Sequence, residues 1–232
     1  MMTKCMVSAL LLGLWMLPQF AYAAKSYSKQ LCFQPGYTCI KIKKGYTWDR
    51  LLPDPRRQYI VKKINRMNIE LEPGMVIALP NDLDQADELM FAPFPTRITP
   101  FDRTVVIVDL SDQAFAAYDT FGSLVHWGPI SAGQDWCADV GRGCRTPVGS
   151  YYVQSKGGPG CSSSKYPIPE GGAPMPFCMF FRGGYALHAS PAVPGYHASH
   201  GCVRLFYEDA EWLNKEFVEF GNGKATKVIV QP

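Results

Sequence analysis

Residues 104–130 read TVVIVDLSDQAFAAYDTFGSLVHWGPI, and this stretch decides the class of fold. It holds three runs of apolar, β-branched and aromatic residues, Thr104–Leu110, Ala114–Asp119 and Leu124–Ile130. Ser, Asp and Gly lie between the runs, and short runs separated by turn residues are typical of consecutive β-strands. The stretch therefore predicts that a domain rich in β-strands begins here.

The sequence that follows continues the pattern. Further strands are predicted at Tyr151–Gln154, Phe177–Arg182, Tyr185–His188 and Lys227–Val230. Gly183-Gly184 is a two-residue hairpin signal between two of them. One late helix is predicted over Asp209–Phe220, because its apolar residues share a face and Gly221 follows it. Many short strands with little helix predict a mostly β (α+β) domain over residues 102–232, with a β-sandwich or barrel-like core.

A smaller unit is predicted before this domain, over residues 24–80. Its sequence favours the order strand, helix, helix, strand, at Cys39–Lys43, near Asp49–Leu52, at Tyr59–Ile64 and at Met75–Leu79. Residues 81–101 begin with the acidic run Asn81–Glu88, which is compatible with a helix, and the three prolines of Phe91–Pro100 exclude a helix over that second part. These residues are predicted to be a linker that packs its aromatic side chains against a neighbour.

Residues 1–23 predict export. A basic start, the apolar run Cys5–Leu17 and the small residues of Ala21-Tyr22-Ala23 form the pattern of a secretory signal peptide, so the mature chain is expected to begin near Ala24. A retained membrane anchor is the alternative, but the run is shorter than the roughly 20 apolar residues that span a bilayer. We expect a protein of the periplasm or cell wall that does not span a membrane once the signal is removed.

Composition narrows the classes of function. A hydrophobic content of 47% suits a packed globular chain rather than a disordered one. The net charge of +3, which becomes +2 when Lys4 leaves with the signal peptide, is too small to favour nucleic acid as a partner.

The cysteines predict one free thiol. Of the eight cysteines, Cys5 belongs to the signal peptide, and the remaining seven cannot all be paired. Six of them form close pairs along the chain: Cys32 with Cys39, Cys137 with Cys144 and Cys161 with Cys178. Six cysteines allow 15 pairings, and we favour these three local ones, which leave Cys202 alone. A bridge from Cys161 to Cys178 would tether the long loop Gly157–Pro176, which is either a lid beside an active site or a solvent-exposed loop.

Three histidines lie just before the free thiol. His188, His197 and His200 precede Cys202 within a short stretch, and a thiol needs a neighbouring base or cation to act as a nucleophile. Side chains two apart in an extended segment point the same way, so His200, Cys202 and Arg204 are expected to share a face. Gly201 would let a substrate carbonyl approach backbone N–H groups that form an oxyanion hole. His188 is the second candidate base, and His197 is expected to be an exposed loop residue.

The segment HASPAVPGYHASHGCVRL, residues 188–205, resembles the active-site signature of L,D-transpeptidases of the YkuD type. The segments VVIVDLSDQAFAAYD, ISAG and RTPVGSYYV resemble other parts of the same domain. The resemblance implies a β-sandwich-like catalytic domain in which Cys202 is the nucleophile and His188 the general base, oriented by the carbonyl group of Ala189.

The same resemblance assigns the remaining site residues. His200 and Gly201 would shape the pocket, and the N–H groups of Gly201 and Cys202 would contribute to the oxyanion hole. Arg204 would hold the loop or contact the substrate carboxylate, and Ser199 and Ala189 are expected to line the substrate site. The family implies no metal and no cofactor.

The small unit resembles a LysM domain. The segments IKIKKGYTWDRLL, INRMN and LEPGMVIALP, within residues 40–80, stand in the order of its strands and helices. LysM domains bind glycan chains that contain N-acetylglucosamine, so the resemblance implies a second contact with peptidoglycan. The alternative is a structural spacer without a ligand.

The implied reaction is acyl transfer on peptidoglycan. Cys202 would attack the stem peptide, release D-alanine and form a thioester, and an amine of another stem or of a protein would then take the acyl group. If water takes it, the enzyme is a carboxypeptidase or endopeptidase. Two rival functions fit the same residues: a non-catalytic peptidoglycan-binding protein, and a zinc hydrolase that uses His188, His197, His200 and Cys202 as ligands.

Overall fold

The structure is a computed structural model that describes residues 26–85, 87–221 and 223–232. The predicted signal peptide and the expected start near Ala24 lie outside these residues. Within them the chain forms a small N-terminal unit and a larger β-rich unit. Every helix of the described part is too short or too polar to reach across a bilayer.

The N-terminal unit is built on a two-stranded antiparallel sheet. Its elements in chain order are α1 (Tyr27–Leu31), β1 (Tyr37–Lys41), α2 (Trp48–Leu51), α3 (Pro55–Ile64) and β2 (Val76–Pro80). The side chains of Thr47 and Asp54 accept hydrogen bonds from backbone N–H groups three residues later, which explains where α2 and α3 begin. The predicted order of strand, helix, helix and strand is present, and α1 is an addition to it.

The larger unit contains one nine-stranded sheet. Its strands are β3 (Val105–Asp109), β4 (Ala114–Tyr118), β5 (Leu124–Ser131), β6 (Gly149–Tyr152), β7 (Ser155–Lys156), β8 (Met179–Arg182), β9 (Tyr185–Ala189), β10 (Val203–Leu205) and β11 (Lys227–Gln231). They follow one another across the sheet as β6-β11-β3-β4-β5-β10-β9-β8-β7. The sheet curls, so that β8 and β11 contribute to the same apolar core, and the prediction of a mostly β domain is confirmed.

The late helix is shorter than predicted. It consists of α4 (Tyr207–Trp212) and a wider π turn over Leu213–Phe217, whereas the sequence predicts helix to Phe220. The ammonium group of Lys156 donates hydrogen bonds of 2.6 and 2.7 Å to two carbonyl groups at the end of the turn. Because this side chain takes the place of the next backbone N–H groups, the chain leaves helical geometry at Val218.

Three disulfides form as predicted. They join Cys32 to Cys39, Cys137 to Cys144 and Cys161 to Cys178. Cys202 is the free cysteine of the described residues. Two of the bridges staple loops of the β-rich unit. The loop of residues 137–144 contacts His200, and Cys178 belongs to the apolar cluster against which Cys202 packs.

Candidate active site

Strand pairing brings Cys202 and His188 to one face of the sheet. In the parallel pair of β10 and β9, Val203 lies opposite Leu187 and Arg204 opposite His188. Val203 and Leu187 are buried in the core. Because side chains alternate along a strand, Arg204, His188 and Cys202 face the other way. Cys202 directly precedes β10 and so lies next to Val203 on the strand that pairs with the strand of His188.

Cys202 lies at the edge of the apolar core and is partly exposed. Its sulfur is 3.5 Å from the carbonyl oxygen of Gly184, in the turn between β8 and β9, and its side chain packs against the apolar cluster of Met175, Cys178 and Ala186. Burial raises the pKa of the thiol, while a backbone hydrogen bond at Ala186 and the positive charge of Arg204 act in the opposite direction. The group is therefore a protonated thiol at neutral pH.

His188 is buried and neutral. Its Nδ1 lies 2.8 Å from the carbonyl oxygen of Ala189 and donates to it, which leaves Nε2 unprotonated as an acceptor. Burial lowers the pKa of His188 to about 4, and the hydrogen bond to Ala189 opposes this shift only in part. The imidazole is therefore unprotonated at Nε2 at neutral pH.

The contact between His188 and Ala189 is the one that the family resemblance implies. Ala189, which was also expected to line the substrate site, has its side chain fully buried in the core, and its N–H group donates to the carbonyl group of Pro176. Arg204 donates a hydrogen bond of 3.3 Å to the carbonyl oxygen of Ala192 and so contacts the loop after β9.

Ser199 is buried and bonded within its own loop. Its hydroxyl group donates to the carbonyl oxygen of Cys202 at 2.5 Å and accepts from the N–H group of Gly201 at 3.0 Å. The hydroxyl group of Ser199, expected at the substrate site, and the N–H group of Gly201, expected in the oxyanion hole, are therefore hydrogen-bonded to each other in this structure.

Thr146 holds the same loop from the opposite side. Its buried hydroxyl group donates to the carbonyl oxygen of Gly201 at 2.7 Å and accepts from the N–H group of Gly133 at 2.9 Å. Sequence reasoning missed this role, although Thr146 lies in the quoted segment RTPVGSYYV. A hydroxyl residue next to a proline in a loop was the available signal.

Gly201 changes the direction of the chain just before Cys202. Its φ of +128° is a conformation that favours glycine, and a Cβ atom there would lie 2.6 Å from a ring carbon of Tyr185. The backbone here is not an extended strand, so the expected alternation of His200 and Cys202 on one face fails.

His200 instead contacts two neighbouring loops. Its Nε2 lies 2.7 Å from a carboxylate oxygen of Asp139, and its ring lies 4.6 Å from the ring of Tyr166, measured between centroids. This is a correction to its expected place beside the thiol, and neither partner was singled out from the sequence.

His197 is a structural residue and not the exposed loop residue expected. Its Nδ1 accepts from the N–H group of Ala132 at 3.2 Å, and its Nε2 donates to the carbonyl oxygen of Leu110 at 2.9 Å. Burial lowers its pKa. It thus ties the loop before Cys202 to the start of the sheet.

The residues do not assemble the site that a zinc hydrolase would need. Within the described residues, no three of His188, His197, His200 and Cys202 bring their ligand atoms within 4.8 Å of one another. The group that does so is Cys137, Asp139 and His200, but the sulfur of Cys137 is bonded to Cys144 and is not available as a thiolate ligand.

Known L,D-transpeptidases are similar to this chain in sequence pattern and in fold. The YkuD family model, described as the L,D-transpeptidase catalytic domain, matches residues 103–230. A crystal structure of an L,D-transpeptidase from Xylanimonas cellulosilytica is 25% identical, with a TM-score of 0.53 over 75% of this chain and 78% of that one. No curated protein matches the chain significantly.

Two further structures are similar over shorter lengths. An L,D-transpeptidase from Stackebrandtia nassauensis is 21% identical, with a TM-score of 0.47 over 61% of each chain. One from Mycobacterium tuberculosis is 26% identical, with a TM-score of 0.43 over 56% of this chain and 57% of that one. In both cases the match spans less than two thirds of the other chain.

Proposed function

The chain belongs to the L,D-transpeptidase family, with a YkuD catalytic domain over residues 103–230, and from this premise we propose that it is an exported enzyme that acylates Cys202 with peptidoglycan tetrapeptide stems. The observation that carries the proposal is the pairing of β9 and β10. This pairing supports a free, partly exposed thiol and a neutral imidazole facing the same side of the sheet.

Acylation begins from a neutral pair. Since the thiol of Cys202 is protonated and Nε2 of His188 is unprotonated at neutral pH, His188 removes the thiol proton as the sulfur attacks the stem carbonyl. The sulfur bonds to the carbonyl carbon at the L-centre of the third residue. The bond to D-alanine breaks, and the leaving amine takes the proton from His188.

The oxyanion that forms during attack needs donors. The N–H group of Gly201 is bonded to Ser199, so of the two expected donors the N–H group of Cys202 remains. Arg204 lies on the same face as the reacting groups and is suited to the stem carboxylate, since a guanidinium group matches a carboxylate in two hydrogen bonds.

An amine of a second stem then takes the acyl group and yields a cross-link between third residues. Transfer to a protein amine, or to water as in a carboxypeptidase or endopeptidase, uses the same thioester. The N-terminal unit would hold glycan strands as a LysM-like domain. A groove of about 550 Å³ lies where α3 meets the β-rich unit. Tyr59 and Tyr207 line this groove and are available to contact such a ligand.

The experiment is incubation of the mature protein with a purified tetrapeptide stem, followed by mass spectrometry of the intact protein. We expect an adduct equal to the stem without its D-alanine, located at Cys202 by peptide mapping. Cys202→Ala should give no adduct while its far-ultraviolet circular dichroism is unchanged. A metal chelator should have no effect, and an adduct on another residue would contradict the proposal.

A further inference from the structure

Two disulfide-stapled loops meet at His200. The first stapled loop is residues 137–144 and the second is residues 161–178. Asp139 of the first loop bonds Nε2 of His200, and the ring of Tyr166 in the second loop packs against the imidazole. Arg142 of the first loop donates a hydrogen bond of 2.9 Å to the phenol oxygen of Tyr166. We call Asp139, Arg142, Tyr166 and His200 the loop clasp.

The second stapled loop touches the nucleophile segment at two points. At its base, Cys178 belongs to the apolar cluster against which the side chain of Cys202 packs. At its tip, Tyr166 reaches His200, two residues before Cys202. The loop therefore extends along one side of the thiol, and the clasp fixes the end that no disulfide holds.

The contacts of the clasp give the tip a defined position. The loop also has its own hydrogen bonds, from Ala173 to Tyr166 and between Ser163 and Gly172, which join the two arms of its tip. Asp139 and Arg142 are exposed, and Tyr166 and His200 are partly exposed. Water therefore competes for the contacts of the clasp, and contacts of this kind at a surface are weak.

We propose that the loop clasp selects the acceptor of the acyl group. It keeps the second stapled loop closed against water until an amine attacks the thioester at Cys202. The inference rests on the proposed acyl-enzyme. Either acceptor adds to the thioester carbonyl, loses a proton and expels the sulfur, which is reprotonated. Water yields a free acid and an amine yields an amide. An open loop raises the access of water, which is always in excess, and so favours the acid.

The test measures both products from one protein. The mature enzyme is acylated with a tetrapeptide stem, an amine acceptor is added, and tripeptide and cross-linked product are quantified together with the rate of acylation. For Tyr166→Ala we expect the ratio of tripeptide to cross-link to rise about fivefold, the effect of one lost aromatic pair on a two-state equilibrium. Tyr166→Phe keeps the ring contact and should lie between this variant and the wild type.

Ile168→Ala is the matched control, because Ile168 is an exposed apolar residue of the same loop outside the clasp. It should keep the wild-type ratio. Hydrogen exchange of residues 162–174 should be faster in Tyr166→Ala. It should also be faster in Arg142→Gln, which removes a clasp contact by a change in the first stapled loop. Arg142→Gln also provides the product ratio if Tyr166→Ala does not fold.

The outcomes separate the two proposals. Acylation of the wild type with an unchanged product ratio in both clasp variants would overturn the role of the clasp and leave the proposed function intact. A shift of equal size in Ile168→Ala would also overturn it, since loop composition would then be the cause. If the wild type forms no adduct at Cys202, the proposed function itself fails.

Discussion

At the scale of single residues, burial decides the protonation of the two reacting groups. It lowers the pKa of His188 to about 4 and raises that of Cys202. Both shifts favour the uncharged forms, so an ion pair of thiolate and imidazolium is not the resting state. A proton must be transferred from sulfur to nitrogen before or during attack on a carbonyl group.

This electrostatic state predicts how Cys202 reacts with iodoacetamide. Because only the thiolate is nucleophilic, the rate of alkylation should be low at neutral pH. It should still be rising above pH 9, because the pKa of this thiol is raised above its ordinary value of 9.0. The measurement is a pH series of alkylation at Cys202, followed by mass spectrometry. A fast, constant rate between about pH 5 and pH 8 would instead indicate an ion pair with His188.

The sequence alone identified Cys202 as the free thiol, but it did not predict which residues surround His200. An odd number of cysteines with three close pairs identified Cys202, because disulfide pairing here is local. The place of His200 was not predictable from alternation, since Gly201 adopts a positive φ and turns the chain. Its partners Asp139 and Tyr166 are distant in sequence, and no periodicity connects them.

At the scale of elements, runs of apolar and aromatic residues marked the longer strands, whereas β7 and β10 were missed. They have two and three residues, so they carry too little pattern to detect. The position of β10 depends on pairing with β5 and β9, which are far apart in the chain. The helix ended early for a similar reason, because Lys156 reaches its last carbonyl groups from another strand.

The loop that leads into β10 gives a second prediction, at Thr146. Thr146→Val keeps the shape of the side chain but leaves the carbonyl group of Gly201 and the N–H group of Gly133 without their buried partner. We expect the free energy of unfolding in urea to fall by about 2 kcal/mol, the cost of unsatisfied buried groups. The rate of acylation should fall with it, because the loop no longer holds Cys202 in place.

Thr146→Ser is the matched control, since it retains the hydroxyl group. It should recover most of the acylation rate even where the lost methyl group reduces stability. Equal acylation rates for the valine and serine variants would show that the hydroxyl group does not position the loop.

At the scale of the whole molecule, charged side chains join the two units. Lys63 of α3 is completely buried, and its ammonium group contacts the carboxylate of Glu88 and donates to the carbonyl oxygen of Trp127 at 2.6 Å. It also lies 3.6 Å from a carboxylate oxygen of Asp209, which is 1% exposed. The sequence showed Lys63 only as one more charge on a basic helix, because its partners come from the linker and the β-rich unit.

Lys63→Met should therefore loosen the junction of the units more than a surface change would. The carboxylate of Asp209 stays buried but loses a cation, and removal of one partner from a buried charge cluster costs about 3 kcal/mol or more. Lys62→Met is the matched control, because Lys62 lies next in sequence and its ammonium group contacts Gln58 and Trp48 of its own unit. Urea unfolding should show a clear loss for Lys63→Met and a small one for Lys62→Met. Equal losses would mean that the buried cluster does not hold the units together and that apolar contacts do so instead.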